Sequence, residues 1–599
     1  MIEFVSANIA PIMFGVVVLF LLSGFPVAFS LASCGLFFGF IGLELDLIPA
    51  TLFQALPLRV FGIMQNDTLL AIPFFTLMGL ILERSGMAED LLETVGQVFG
   101  PIRGGLALAV IFVGALLAAT TGVVAASVIS MGLISLPIML RYGYSRPIAA
   151  GVITASGTLA QAIPPSLVLI VMADQLGQSV GDMYKGAMIP ALALVGLYAL
   201  FVIGLAIFKP KMVPALPPEA LTYREPDGGS GLRSLGVLFA VVTAVSVLLG
   251  QNYGAVLGYL EGKEVATPAL DETIVVAMTF GTILALILAV LNKAFKLGLL
   301  SRIAERVTFV LIPPLTLIFL VLGTIFLGVA TPTEGGAMGA VGALVMAMMR
   351  KRLDFKTLVQ ALESTARLSI FVLFILIGST IFSFIFTAVD GQIWVEHLFD
   401  KLPGGQLGFL LFVNTVIFFL GCFLDFFEIA FILLPLLAPV AEKLGIDLIW
   451  FGVIVALNLQ TSFLTPPFGF ALFYLRSVAP GAAYLDRITK KRIEGFKTTD
   501  IYKGSVAFVL IQLSMVALVI AFPQLVTGGL DEKVEVDLQN IQIEAPAGGG
   551  WGDSGGSGWG APSDGGAAAP AGEAPAPAGE APAPAEAAPA KDDWAAPAK

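Results

Sequence analysis

Apolar runs long enough to cross about 30 Å of hydrocarbon recur between residues 8 and 527. This feature excludes most folds. Inside a bilayer every backbone N–H and C=O must find its partner within the protein, which leaves helices and closed barrels. The runs are continuous rather than alternating, so they predict helices. A hydrophobic fraction of 57%, a charged fraction of 13% and a mean hydropathy of +0.93 point the same way. The expected fold class is an all-α polytopic membrane protein whose surroundings are lipid, with no nucleic acid implied. Cys34 and Cys422 both lie in apolar runs and His397 is the single histidine. Neither a disulfide framework nor a transition-metal site is therefore expected. No basic leader precedes the first run, so no cleavable signal peptide is expected.

Full spans are predicted near 8–23, 26–43, 68–83, 147–175 and 186–208, then near 234–250 and 273–292. A further set follows near 308–328, 333–349, 368–389, 448–475 and 505–527. Two apolar pairs, 105–140 and 407–440, turn too tightly for two spans and a loop. They are expected to be re-entrant hairpins. This topology places 24 of the 32 lysines and arginines on one side. The positive-inside rule makes that side cytoplasmic and puts both termini outside.

The stretch "GTLAQAIPPSLVLI", Gly157 to Ile170, breaks one span with a double proline, which removes backbone donors and clashes with the preceding turn. It has a counterpart in "NLQTSFLTPPFGFAL". Gly143 matches Gly445, and Pro164-Pro165 match Pro466-Pro467, at an offset of 302. Each half thus reads as five spans, the last but one broken, with one re-entrant hairpin. Five is odd, so the second half starts on the opposite side and the repeat is inverted, as in many secondary transporters. The expected domains are a first repeat at 1–210, an insertion with two extra helices at 211–300, and a second repeat at 301–527. A Gly/Pro/Ala-rich tail at 528–599 has too little apolar content for a core and is expected to be disordered.

Hairpin tips and helix breaks expose backbone groups that hydrocarbon cannot satisfy. Half-helix N-termini suit anions, and half-helix C-termini suit a cation. The first tip offers Thr120, Thr121 and Gly122, and the first break Gly157, Thr158, Gln161 and Ser166. The second tip offers Asp425, an intramembrane carboxylate, with Glu428 beside it. The second break offers Asn458, Gln460, Thr461, Ser462 and Thr465. Glu334, in "TPTEGG", is expected to cap a helix. Arg59 is read as an interfacial anchor in an amphipathic segment, and Asp354–Arg367 as an amphipathic cytoplasmic helix in the corresponding place of the second half, ahead of the span near 368–389.

The segments "NDTLLAIPFFTLMGLILERSGMAEDL", "GTLAQAIPPS", "ATPTEGGAMGA", "FLDFFEIAFILLPLLAPV" and "NLQTSFLTPPFG" resemble the large membrane subunit of TRAP transporters, the tripartite ATP-independent periplasmic transporters of the ion-transporter superfamily. The likeness covers roughly 1–210 and 300–527. It implies a permease rather than an enzyme, working as an elevator that uses a Na⁺ gradient to import small organic acids, with no other cofactor. It also implies two partners: a small four-helix membrane subunit and a soluble periplasmic binding protein. By position, the family's sodium sites fall on Thr121, Gly122, Gly157, Thr158, Asp425, Thr465 and Pro466. The substrate would lie near Thr120, Thr121, Gly122, Gln161 and Asp425. The first tip departs from the family's Ser-Gly-Ser pattern, since Val123 carries no hydroxyl. The alternative is a stand-alone antiporter or exporter of the same superfamily, without a binding protein.

Overall fold

The computed structural model describes residues 2–221, 223, 225, 229–255, 258, 270–296, 298–486 and 489–530, all within one unit, Met1–Glu532. Almost all of the expected disordered tail at 528–599, part of the 211–300 insertion and the Thr121 side chain lie outside the described residues. The rest is helical, apart from a two-stranded antiparallel ribbon pairing Tyr484 with Ile493 and Leu485 with Arg492.

The first half runs through Ile9–Leu22, Val27–Glu44, the short helices Leu56–Met64 and Ala71–Arg84, and Met87–Phe99. It then turns back on itself through Gly105–Thr121 and Val124–Arg141. A broken pair, Arg146–Thr158 and Leu167–Gln175, leads to Val180–Phe208. The second half repeats the order as Arg302–Phe326, Pro332–Met349, Phe355–Ala388 and Gly391–Asp400. There follow the hairpin Gly405–Leu420 and Phe426–Lys443, the broken pair Leu448–Leu464 and Phe470–Val478, and Thr498–Ala521. Eight single helices among the described residues are long and apolar enough to span. Several expected spans fall short because breaks divide them: Leu448–Leu464 has 17 residues and covers about 26 Å by itself.

The halves interlock by a contact made twice. Val27–Glu44 packs along Phe355–Ala388, and Ala71–Arg84 packs along Pro332–Met349; under the repeat these are the same pairing. Small residues allow the approach. A Cβ on Gly378 would lie 2.4 Å from the Ala28 carbonyl oxygen, and one on Gly339 would lie 2.5 Å from Met78 Sδ. Arg146–Thr158 packs against Thr498–Ala521. In the insertion, Leu232–Gln251 and Leu270–Phe295 pack on each other and on Arg302–Phe326.

Several of the arginines assigned to one side are held in two ionic clusters. Asp90, at the start of Met87–Phe99, accepts Arg350 at 3.2 Å and Arg352 at 3.1 Å, with Arg306 at 3.9 Å. Arg141 pairs with Asp486 at 3.1 Å, and Arg146 with Glu494 at 2.9 Å. Thr331 and Glu334 form the expected cap: Glu334 Oε2 accepts the Thr331 N–H at 2.8 Å and Thr331 Oγ1 accepts the Glu334 N–H at 3.3 Å.

One expectation fails. Asp354–Arg367 is not a separate helix but the first part of Phe355–Ala388, 34 residues without a break. Asp354 caps its start by accepting the Thr357 N–H at 2.9 Å, and no glycine or proline interrupts it before Gly378. In the first half, "GIMQND" stops the helix, and the segments Ala50–Met64 and Asp67–Arg84 meet at a 45° bend.

Candidate functional site

Each hairpin tip meets the break of its own half. The first tip turns at Gly122, whose φ of +59° lies in the left-handed region open to glycine. Its N–H bonds the Ala118 carbonyl at 3.2 Å and closes Gly105–Thr121. A Cβ at Gly122 would lie 3.0 Å from Leu167, the first residue after the break. The N-termini of Val124–Arg141 and Leu167–Gln175 therefore both lie beside Gly122, with the positive ends of two half-helix dipoles together. Gly157 seats the other side of the break, where a Cβ would stand 2.3 Å from Val128 of the hairpin.

The polar groups of this first half-site are sealed: Thr158, Gln161 and Ser166 have no exposed surface. Ser166 caps Leu167–Gln175, accepting the Val168 N–H at 3.2 Å and donating to the Gln161 carbonyl at 3.0 Å. Thr120 donates to the Leu117 carbonyl at 2.9 Å, and Thr158 to the Ala155 carbonyl at 3.0 Å. Gln161 differs. Among the described residues neither its amide oxygen nor its amide nitrogen has a partner. A buried, unpaired amide costs about 1–3 kcal/mol and calls for a reason.

The second half-site is more open. Thr465 ends Leu448–Leu464, its hydroxyl donating to the Thr461 carbonyl at 2.9 Å. Pro466 follows, with Pro467 and Phe468 exposed. The Pro164-Pro165 and Pro466-Pro467 bonds are both cis. Phe468 packs against Phe423 of the second tip, with tilted rings and centroids 4.9 Å apart, which ties tip to break. Asp425 is the N-cap of Phe426–Lys443. Its Oδ1 accepts the Phe426 N–H at 2.8 Å, while Glu428 Oε2 accepts the Asp425 N–H at 3.0 Å. The equivalent positions of the first tip are Val123 and Ala126, so both tip carboxylates belong to the second half.

The halves join through a residue and its own repeat equivalent. Gln460 Nε2 donates to Thr158 Oγ1 at 3.5 Å, a long bond between positions 302 apart. The offset that aligns the two halves thus also separates two touching residues, as expected where a pseudo-two-fold axis passes. Tyr198 and Gln512 lie in the same buried cluster, with Gln512 Nε2 donating to Tyr198 Oη at 2.7 Å. Sequence reasoning missed this pair. The signal was present: Gln512 is a solitary amide in the apolar run of Thr498–Ala521.

Breaks, hairpins and inverted halves are the parts of a secondary transporter, and the sequence comparison says which kind. Residues 14–525 match the family described as "Tripartite ATP-independent periplasmic transporter, DctM component". The chain belongs to this TRAP large-permease family. It is 29% identical over 426 residues to the C4-dicarboxylate TRAP transporter large permease protein DctM of Pseudomonas aeruginosa, covering 71% of this chain and 81% of that protein. The protein of the same description from Rhodobacter capsulatus is 27% identical over 78% of this chain and 89% of its own length. The sialic acid TRAP transporter permease protein SiaT of Haemophilus influenzae is 22% identical, over 78% and 60%. TRAP membership makes the chain a multi-pass permease subunit rather than a catalyst.

Proposed function

We propose that this TRAP permease carries small organic acids across the bacterial inner membrane by coupling them to Na⁺, moving its hairpins and broken helices against the remaining helices as an elevator. The observation that carries the reading is the pair of half-sites, each a hairpin tip set against a helix break, related by inversion and joined at Thr158 and Gln460. Sodium is held by carbonyls and hydroxyls at Thr121, Gly122, Gly157 and Thr158 in one half and at Asp425, Thr465 and Pro466 in the other. The acid lies by Thr120–Gly122, Gln161 and Asp425, and Gln161 brings an amide with unused donors and acceptor. Neutralising the acid with sodium lowers the cost of taking charge into a low-dielectric interior. The relatives named for C4-dicarboxylate and sialic acid support an organic acid as cargo. A small membrane subunit and a periplasmic binding protein complete the importer, with the two ionic clusters in the cytoplasm.

The test is uptake by the reconstituted complex with and without an inward Na⁺ gradient, using Asp425→Asn beside Asp425→Ala. Asparagine keeps the N-cap, whereas alanine loses it at a cost of about 1 kcal/mol. Uptake abolished in both variants places the carboxylate in transport. Uptake indifferent to Na⁺, or intact in Asp425→Ala, would sink the mechanism.

A further inference from the structure

Two cavities flank the second half of Phe355–Ala388 where it faces the hairpin helix Phe426–Lys443. One, of about 460 Å³, is lined by Ile370, Phe371, Phe374 and Phe423 and holds a carboxylate, Glu428. The other, of about 500 Å³, is centred about three turns further toward Ala388, at the opposite end of this helix from Arg350 and Arg352. Between them the Ser379 hydroxyl donates to the Phe431 carbonyl. The second cavity has a different chemistry. Arg59 lines it together with the amides of Gln175 and Gln392 and the hydroxyls of Thr380, Ser383 and Thr387. Its walls come from both kinds of element: Arg59 and Thr380 from helices outside the hairpins, Gln175 and Pro435 from a broken helix and a hairpin.

Three observations argue that this space takes an anion rather than a lipid tail. Arg59 has no carboxylate partner among the described residues; its guanidinium lies 4.9 Å from the centroid of the Phe384 ring, which leaves its N–H fork available. Asp174, the acid next to lining Gln175, forms no ion pair with Arg59: its oxygens accept from Asn66 Nδ2 at 2.7 Å and from Gln175 Nε2 at 2.9 Å. Ser383 Oγ is buried without a partner among the described residues, a cost that a bound polar ligand or its water would remove. An arginine serving only as an interfacial anchor needs none of the hydroxyls and amides around it.

We propose that this cavity is a second anion site, apart from the hairpin tips, in which Arg59 receives a carboxylate or sulfonate. The ligand class rests on the organic-acid reading above; the charge of Arg59 does not.

The test uses the full chain in detergent with Cys34→Ala and Cys422→Ser, carrying Thr387→Cys as reporter. Two thiol reagents of similar size are compared, sulfonatoethyl methanethiosulfonate and its trimethylammonium analogue. With Arg59 present the anionic reagent is favoured, and Arg59→Gln lowers the anionic-to-cationic rate ratio about tenfold, the effect of one unit charge acting on both probes at close range through water. Arg59→Lys keeps the ratio, and millimolar succinate slows the anionic reagent only where residue 59 is cationic. A reporter in the Glu428-lined cavity, Phe25→Cys, shows no response to Arg59→Gln. An unchanged ratio in Arg59→Gln, or an equal change at both reporters, overturns the site. Because no transport is measured, this result is independent of whether uptake needs Na⁺. A preserved charge effect without succinate protection would overturn the carboxylate ligand.

Discussion

Gly157→Ala tests whether the first hairpin must rest directly on the first break. The added methyl would lie 2.3 Å from Val128 Cγ2 and 3.1 Å from both the Val128 amide nitrogen and Cα. Carbon atoms normally settle about 3.5–4.0 Å apart, so the closest contact is short by more than about 1 Å. Val128 has no exposed surface and no room to retreat. Rotating its side chain relieves only the Cγ2 clash, because the other two atoms are backbone. The hairpin must therefore shift by several tenths of an ångström, an overpacking that costs about 1–3 kcal/mol. Thermal unfolding of the purified chain reads the stability term, and uptake by the reconstituted complex reads the site. We expect a lower melting temperature, with uptake reduced at least tenfold because the shifted groups include the Thr120–Gly122 tip. Val128→Ala in the same chain removes Cγ2 and leaves the backbone contacts, so the double variant should recover in part, with a coupling of about 1 kcal/mol. If Gly157→Ala melts like the parent and the cycle shows no coupling, the hairpin does not seat on the break as described.

Gln161→Leu should raise or preserve the melting temperature, since it removes a buried amide without partners, yet abolish uptake; a stable variant that still transports would remove Gln161 from the site. Asp90→Asn leaves Arg306, Arg350 and Arg352 crowded without their shared carboxylate and should cost about 1–2 kcal/mol, less than in a fully buried pair. Asp486→Asn compared with Arg350→Gln/Asp90→Asn would show by thermal melting whether the two ionic clusters act independently. The Asp486 carboxyl is held down at about 2 by the Thr489 hydroxyl and N–H, with Arg141 adding to the effect. A depressed carboxyl lends its stability above the unfolded value near 4 and loses it as pH falls toward about 2. Pepsin should accordingly cut within residues 479–497 faster as pH drops from about 4 to about 2, whereas Asp486→Asn should be cut readily throughout; a flat pH profile in the parent would refute the anchor.

Much of the plan was legible because membrane burial leaves few choices. The double prolines, the tight apolar pairs and the 302-residue offset marked the breaks, the hairpins and their inversion. Other features needed the third dimension. Nothing in the sequence pairs Thr158 with Gln460, since contact between repeat equivalents depends on where the symmetry axis falls. Met87–Phe99 went unnoticed as a separate element between a span and a hairpin, although Met87, Ala88, Leu91, Leu92 and Val95 carry the helical spacing that would have revealed it. Arg59 read as an anchor because its segment is amphipathic. The polar wall opposite it comes from Thr380, Ser383 and Thr387, more than 300 residues away, and cannot be seen from that segment. The carboxylate at the second tip was found, but its work as an N-cap depends on a neighbouring helix start that only the fold defines.

The unequal third helices of the two halves have a mechanical consequence. Phe355–Ala388 is a beam: 34 residues give about 51 Å, well beyond about 30 Å of hydrocarbon, so it must tilt or project into water. Its counterpart is jointed, with a 45° bend at Gln65–Asn66. Asn66 works on both sides of that joint. Its Oδ1 accepts the Thr68 N–H at 3.0 Å, and its Nδ2 bonds Asp174 at the end of the first broken helix at 2.7 Å. A load on the broken helix is thus passed to the joint on one side of the molecule and meets a stiff member on the other. Two halves built on one plan therefore differ in compliance, and the bend at Asn66 is where the scaffold would be expected to give.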